Sequence, residues 1–401
     1  MSTCITGTFS AEKNPNIKIL GVLEINDSGE SVLTTEQAFS KDNSIQEGYI
    51  LGEDSNGQKI SILDTQYIEK TTASLGKPHP SKIFGHLIFL GDRHIKSTEK
   101  LRINEFKVSL SCDSWFYENR LHESQKYITP TPKKINIKYD TLTTLSIISS
   151  HCFETGRLKT TATFKCMTEQ DLKYFQKATH HLVTFISFAT GSLTKHGNFS
   201  LKSSDETELK LMYKPGFYPH QKHTNCRYLF NYKSEKVGEK FLHWIKLYDK
   251  APAIFKLYFL PKMITLDNTT KFLILTQAME CFNRKFYENE KLSLIARVNE
   301  TINNKKYHSF LLASSDPTTL LKLGELIRDT RNYYTHYNDE KYENVISETN
   351  LIFLNIKVEL LNDLLLLSNI GFSEKDYAEI KTCIIDDQFN RQRHMSTYTN
   401  Y

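Results

Sequence analysis

Three side chains near the end of one helical stretch have types and spacing that could do chemistry. They are Arg331, Asn332 and His336, within Ile327-Arg-Asp-Thr-Arg-Asn-Tyr-Tyr-Thr-His-Tyr-Asn338. Leu320, Leu323 and Ile327 mark an apolar stripe, and Arg331 follows Ile327 by four residues, so it continues that stripe inward. A guanidinium there needs a carboxylate or an anionic ligand, because an unpaired buried charge is costly. Asp329, Asn332 and His336 fall along an adjacent face, at spacings of three, four and seven. One helix end thus presents a cation, an amide and an imidazole. Phosphodiester cleavage can use that set. A histidine moves the 2′-hydroxyl or leaving-group proton near neutral pH. An arginine binds the phosphate bidentately and stabilises its developing charge. The asparagine can orient either. The same residues also suit an ordinary helix C-terminus, where Arg and His pair with main-chain carbonyls and Glu. Spacing alone leans to that structural reading.

Other clusters are weaker. His220-x-x-His223-x-x-Cys226 offers three ligands to zinc, but no fourth is evident nearby, and an exposed loop is the simpler expectation. His180 and His181 lie in an apolar helix and read as structural. Lys133-Lys134, Lys305-Lys306 with His308, and Arg391-x-Arg393-His394 could meet an RNA backbone. The last is flanked by Phe389 and Tyr398, which could stack bases. A solvated surface is the plainer reading of each. No Gly-rich phosphate loop, His-Glu-x-x-His or Gly-x-Ser-x-Gly is present, which removes the common NTPase, zinc-protease and serine-hydrolase readings. No metal and no cofactor are expected.

The elements that must position these residues divide in two. Residues 1–220 read as strands and turns. Ile17–Ile25 runs into the turn Asn26-Asp-Ser-Gly29, and Tyr49–Gly52 and Lys59–Leu63 flank Asp54-Ser-Asn-Gly57. Ile83–Leu90, Leu101–Leu110 and Ile135–Ile148 look like further strands, with more near Asn198–Leu201 and Leu209–Tyr213. One helix is expected from Met167, capped by Thr168 and ending at Gly191. Residues 221–401 read as helical. Phe241, Trp244, Ile245 and Tyr248 follow helical spacing, and helices are expected over 269–287, from 318, and over 344–367. The last is so apolar that it calls for a second layer, such as another protomer. Gly371 ends it, and Ser373 starts one more short helix. The boundary falls where Pro215, Gly216 and Pro219 cluster.

Composition sets outer limits. The 401 residues include 39% hydrophobic and 24% charged, ordinary for a globular chain of two to three domains. No charge-free apolar run suggests a membrane span, and no secretory signal is visible at the N-terminus. A net charge of +5 allows a nucleic-acid partner without arguing for one. Seven scattered cysteines without Cys-x-x-Cys suggest reduced thiols and a cytoplasmic location.

Arg331-Asn332-x-x-x-His336 resembles the Arg-Asn-x-x-x-His motif of HEPN-domain ribonucleases, and the resemblance extends to ApeA-like HEPN proteins of bacterial anti-phage defence. Its upstream counterpart is Ala278-Met-Glu280, and Asp329 precedes the motif. Gly7, Leu23, Ile50-Leu-Gly52 with Gly57, the strand ending near Trp115, and Phe185-Ile-Ser-Phe-Ala-Thr-Gly191 resemble the ApeA N-terminal domain. The resemblance implies an α+β chain, with a β-rich, sensing or regulatory N-terminal domain and an all-α HEPN bundle. It implies a metal-independent endoribonuclease of abortive infection. Such an enzyme cuts host RNA, with tRNA the expected target, to leave 2′,3′-cyclic phosphate and 5′-hydroxyl ends. His336 would be the acid/base, Arg331 the phosphate contact and Asn332 an orienting group, with Glu280 holding Arg331. A homodimer or higher homo-oligomer and a phage-derived trigger are the implied partners, and no membrane. Two other classes stay open. One is a non-catalytic HEPN module that binds RNA or nucleotide, or whose Tyr333, Tyr334 or Tyr337 is the target of a partner nucleotidyltransferase. The other is a carbohydrate- or peptide-binding β domain whose helical half only dimerises.

Overall fold

A computed structural model describes residues 3–39, 46–69, 80–116, 132–152, 157–203, 205–216, 229–287, 292–304, 307, 310–311, 317–337 and 345–381. They fall into two compact units, residues 1–183 with 194–218, and residues 184–193 with 219–401.

The first unit is built on β1 (Thr3–Ala11), β2 (Asn14–Ile25), β3 (Ser31–Thr35), β4 (Gln46–Asp54), β5 (Lys59–Glu69) and β6 (Ser81–Gly91). They pair antiparallel in the order β3-β2-β1-β4-β5-β6, and β3 also pairs with β6, which closes a barrel. Alternate residues fill its interior, among them Phe9, Leu23, Leu33, Ile50, Ile60, Ile62 and Ile83. Gly52 is required at one close approach, since a Cβ there would overlap the ring of Phe9. The expected turns form by side-chain capping of the backbone. Asn26 Oδ1 accepts from the amides of Ser28 and Glu30, and Asp54 Oδ1 from those of Asn56 and Gln58.

β7 (Ile103–Ser111), β8 (Lys133–Lys138), β9 (Thr143–Cys152), β10 (Arg157–Gln170), β11 (Lys195–Lys202) and β12 (Glu208–Met212) extend the sheet from β6 in the order β12-β11-β7-β10-β9-β8. The expected strand over 135–148 is two strands. Asp140 Oδ1 accepts from the amides of Leu142 and Thr143 and turns the chain without Gly or Pro. The short helix α1 (Asp113–Phe116) follows β7.

α2 (Leu172–Thr190) starts later than expected. β10 stays in its ladder as far as Gln170, opposite Ile103, and the cap is Asp171, which accepts from Tyr174 N at 2.8 Å. Thr168 instead bonds Gln170. His181 is buried in α2 against Tyr139, 3.0 Å from its hydroxyl.

The second unit contains α3 (Val237–Lys250), α4 (Pro252–Met263), α5 (Asn268–Phe286), α6 (Leu294–Ile302), α7 (Pro317–His336) and α8 (Leu351–Asn369). Helical backbone resumes at 374–381. The fold class is therefore α+β. Trp244 of α3 stacks on Phe188 at 5.0 Å and donates to Thr184 Oγ1. α8 is buried along nearly its whole length, but the layer that covers it is in the same chain. Asn355 and Asn362 donate to carbonyls of Asn268 and Leu275, Lys357 to that of Leu311, and Asp363 accepts from Tyr258. Its apolar surface thus lends no support to an interface between protomers. Among the described residues no helix is long and apolar enough to cross a membrane.

Candidate functional site

α5, α6 and α7 position the motif. Asp267 caps α5 by accepting from Thr270 N at 2.8 Å. Phe272, Leu275, Met279 and Phe282 face its core side, which leaves Glu280 on the flank, mostly but not fully buried. Ser293 caps α6, accepting from Ala296 N. α7 crosses α6 closely at Gly324, where a Cβ would overlap the side chain of Asn299. The end of α7 is pinned to the segment before α8. Buried Thr330 accepts from Ile346 N at 3.2 Å, and the Tyr334 hydroxyl donates to Ile346 O at 3.1 Å.

Arg331 therefore has a fixed base. Its Nη2 lies 3.7 Å from Glu280 Oε2, and its Nη1 donates to Asn332 Oδ1 at 3.1 Å. The side chain is 33% exposed, so part of the guanidinium remains open to solvent. Glu280 also meets Arg284 of its own helix at 2.5 Å and Arg297 of α6 at 3.4 Å. Arg297 is fully buried, whereas Arg284 lies mostly in solvent. Three guanidinium groups converge on one carboxylate, leaving the cluster with surplus positive charge. An anion placed between Arg284 and Arg331 would meet that surplus directly.

Arg297 was missed in the sequence. Its signal was available in Ser293-Leu-Ile-Ala-Arg-Val298, a capped apolar stretch with one arginine inside it. Asp329 lies on the same helix as Asn332 and His336, at the spacing the sequence gives. Both its oxygens are taken by the neighbouring Arg328, at 2.6 and 3.0 Å. His336 is the last residue of α7 and is exposed. Tyr337 follows with a left-handed backbone, φ +50°, and its amide donates to Tyr333 O at 2.8 Å. The rings of Tyr333 and Tyr337 stack with centroids 5.4 Å apart. Burial pushes the Tyr334 phenol pKa up.

The remaining sequence candidates lie elsewhere. His220, His223 and Cys226 fall outside the described residues, as do Lys305, Lys306, His308 and the Arg391–His394 cluster with Phe389 and Tyr398. Lys133 and Lys134 are on β8.

Two family models match. The model for ApeA N-terminal domain 1 matches residues 4–246, and that for the ApeA-like HEPN domain matches residues 273–376. The second match contains Glu280, Arg297 and the whole run from Arg331 to Tyr337. HEPN domains are generally associated with ribonucleases, and they commonly dimerise and bind RNA. No curated protein and no solved structure matches the chain.

Proposed function

The chain belongs to the ApeA family, and from that premise we propose that it is a HEPN endoribonuclease of anti-phage defence. The carrying observation is the setting of Arg331. It is tethered by Glu280 from another helix and by Asn332 on its own, it keeps part of its guanidinium in solvent, and exposed His336 ends the same helix.

In this reading His336 takes the proton of a ribose 2′-hydroxyl. The 2′-oxygen attacks the adjacent phosphorus and the bond to the 5′-oxygen breaks. The leaving oxygen takes up a proton from a His336 imidazolium, giving 2′,3′-cyclic phosphate and 5′-hydroxyl ends. Arg331 neutralises charge on the phosphate oxygens as the fifth bond forms. Asn332 and Glu280 hold Arg331 in place for that contact. The chain's own groups supply both proton transfer and charge stabilisation, which supports a metal-independent reaction, so cleavage should persist in a chelator. Host RNA is the substrate class, with tRNA its first candidate, and the enzyme acts as a homodimer in the cytoplasm. Residues 1–220 would sense infection or restrain the nuclease.

The test is to express wild type, Arg331→Ala and His336→Ala in a bacterium, with and without phage, and map new RNA ends with their terminal chemistry. The wild type should produce the cyclic-phosphate and 5′-hydroxyl ends. Each variant should cut at least about 100-fold less while remaining folded. Undiminished cleavage by both variants would sink the proposal.

A second reading draws on the 74% exposure of Tyr337. An accessible phenol beside the motif suits an acceptor for a partner nucleotidyltransferase, and a mass increase on the peptide containing it, from native cells, would favour that reading.

A further inference from the structure

We propose that Tyr337, backed by Tyr333, is a shelf on which an RNA base stacks beside the scissile phosphate, so that the enzyme engages strands whose bases are free of a duplex. This rests on the nuclease reading for its substrate, but not for its geometry.

Four observations point the same way. Tyr337 keeps 74% of its surface in solvent. A single exposed ring is ordinary by itself, but this one is held in place. Its backbone adopts φ +50°, a region that a bulky side chain rarely enters and that Gly or Asn would fill more easily. A strained residue kept at a site is a pointer to use. The ring overlaps Tyr333 at 5.4 Å with an interplanar angle of 25°, while most of its surface stays in solvent. Tyr333 is braced in turn by Tyr334, edge-on at 5.0 Å, whose hydroxyl is fixed to Ile346 O. Finally, Tyr337 directly follows His336, and its amide is bonded to the last turn of the helix that carries Arg331. A phosphate at Arg331 would therefore bring its neighbouring bases to this end of α7.

A flat, braced and largely exposed ring suits a base. Bases inside an A-form helix already stack on one another and present no face, whereas unpaired bases can splay onto aromatic side chains. Stacking of this kind tolerates any base, so it selects strand state before sequence.

The experiment uses the full chain carrying His336→Ala, which separates binding from cleavage. The probe is a short single-stranded RNA of mixed sequence containing a fluorescent purine analogue that dims on stacking. Tyr337→Gly and Tyr337→Phe are added to this parent. The Gly variant should bind about tenfold more weakly and lose the dimming. Its thermal midpoint should stay level or rise, because glycine suits the left-handed backbone. The Phe variant, which keeps the ring, should recover most of both signals. The same RNA in a duplex should show no dependence on residue 337.

The proposal is overturned if the parent does not bind the single strand, if the Gly variant binds it as the parent does, or if the Phe variant fails as the Gly variant does. The last outcome would give the role to the hydroxyl and favour modification. Dimming that depends on Tyr337, with no cleavage by the otherwise wild-type chain, would remove the nuclease reading and leave the shelf. Cleavage of single strands unaffected by Tyr337→Gly would do the reverse.

Discussion

Glu280 does more at the residue scale than its place upstream of the motif suggested. It faces Arg284, Arg297 and Arg331 at once, from three helices. Glu280→Gln keeps the shape and removes the charge. It should lower stability by about 1–3 kcal/mol in a denaturant titration, because buried Arg297 loses the charge of the Glu280 carboxylate. Cleavage should fall in parallel, as Arg331 loses one of its two tethers. The motif and Glu280 were both legible because their types and spacing are local. Arg297 was overlooked: its local signal, a capped apolar stretch with one arginine inside, does not name the carboxylate on another helix that it meets. A second residue-scale effect belongs to His196 on β11. Burial, with some repulsion from His180, pushes its pKa down to about 4 from 6.5. The unfolded chain therefore takes up the proton first. This contribution is complete above about pH 6.5 and is lost as pH falls toward 4, amounting to about 3 kcal/mol at most. His196→Gln should flatten that part of the stability-versus-pH curve, measured by urea unfolding across the range.

Packing decides what periodicity could not at the scale of elements. α4 escaped detection because Pro252 opens it and Pro261 lies inside it, and between them too few residues remain to show a period. β8 and β9 merged in the reading because Asp140 makes their turn with its side chain alone. α8 was legible as a buried helix but not in its surroundings, since an apolar face does not say which chain covers it. α3 is tied to the last described helix by a buried ion pair. Lys240 Nζ lies 2.5 Å from Asp376 Oδ1, with both side chains at most 5% exposed. Burial works to raise the Asp376 pKa, but the hydrogen bonds from Lys240 and Ser373 outweigh it and hold the carboxyl below its usual range. Lys240→Ala leaves that carboxylate buried without its cation and should cost about 3–5 kcal/mol by denaturant unfolding. Lys240→Met combined with Asp376→Leu should cost much less.

α2 is the feature of the whole molecule that the sequence hid. It reads as a helix within the β-rich half, yet residues 184–193 belong to the second unit. Ala189 O there accepts from the amides of Leu229 and Phe230, and Phe185 and Phe188 surround Trp244. A fragment of residues 221–401 should therefore melt well below one of residues 172–401, which keeps α2 whole; differential scanning fluorimetry compares them. The sheet of the first unit has its own asymmetry. β3 closes onto β6, whereas β8 pairs with β9 on one side and, among the described residues, with no strand on the other. An unfilled edge of that kind recruits strands from other molecules. β8 reads Lys-Lys-Ile-Asn-Ile-Lys, with Lys134 and Lys138 exposed. A second copy laid against it would bring ammonium groups side by side. The lysines of β8 therefore put positive charge where the described ladder runs out, a charge that opposes pairing of this strand with a second copy of itself.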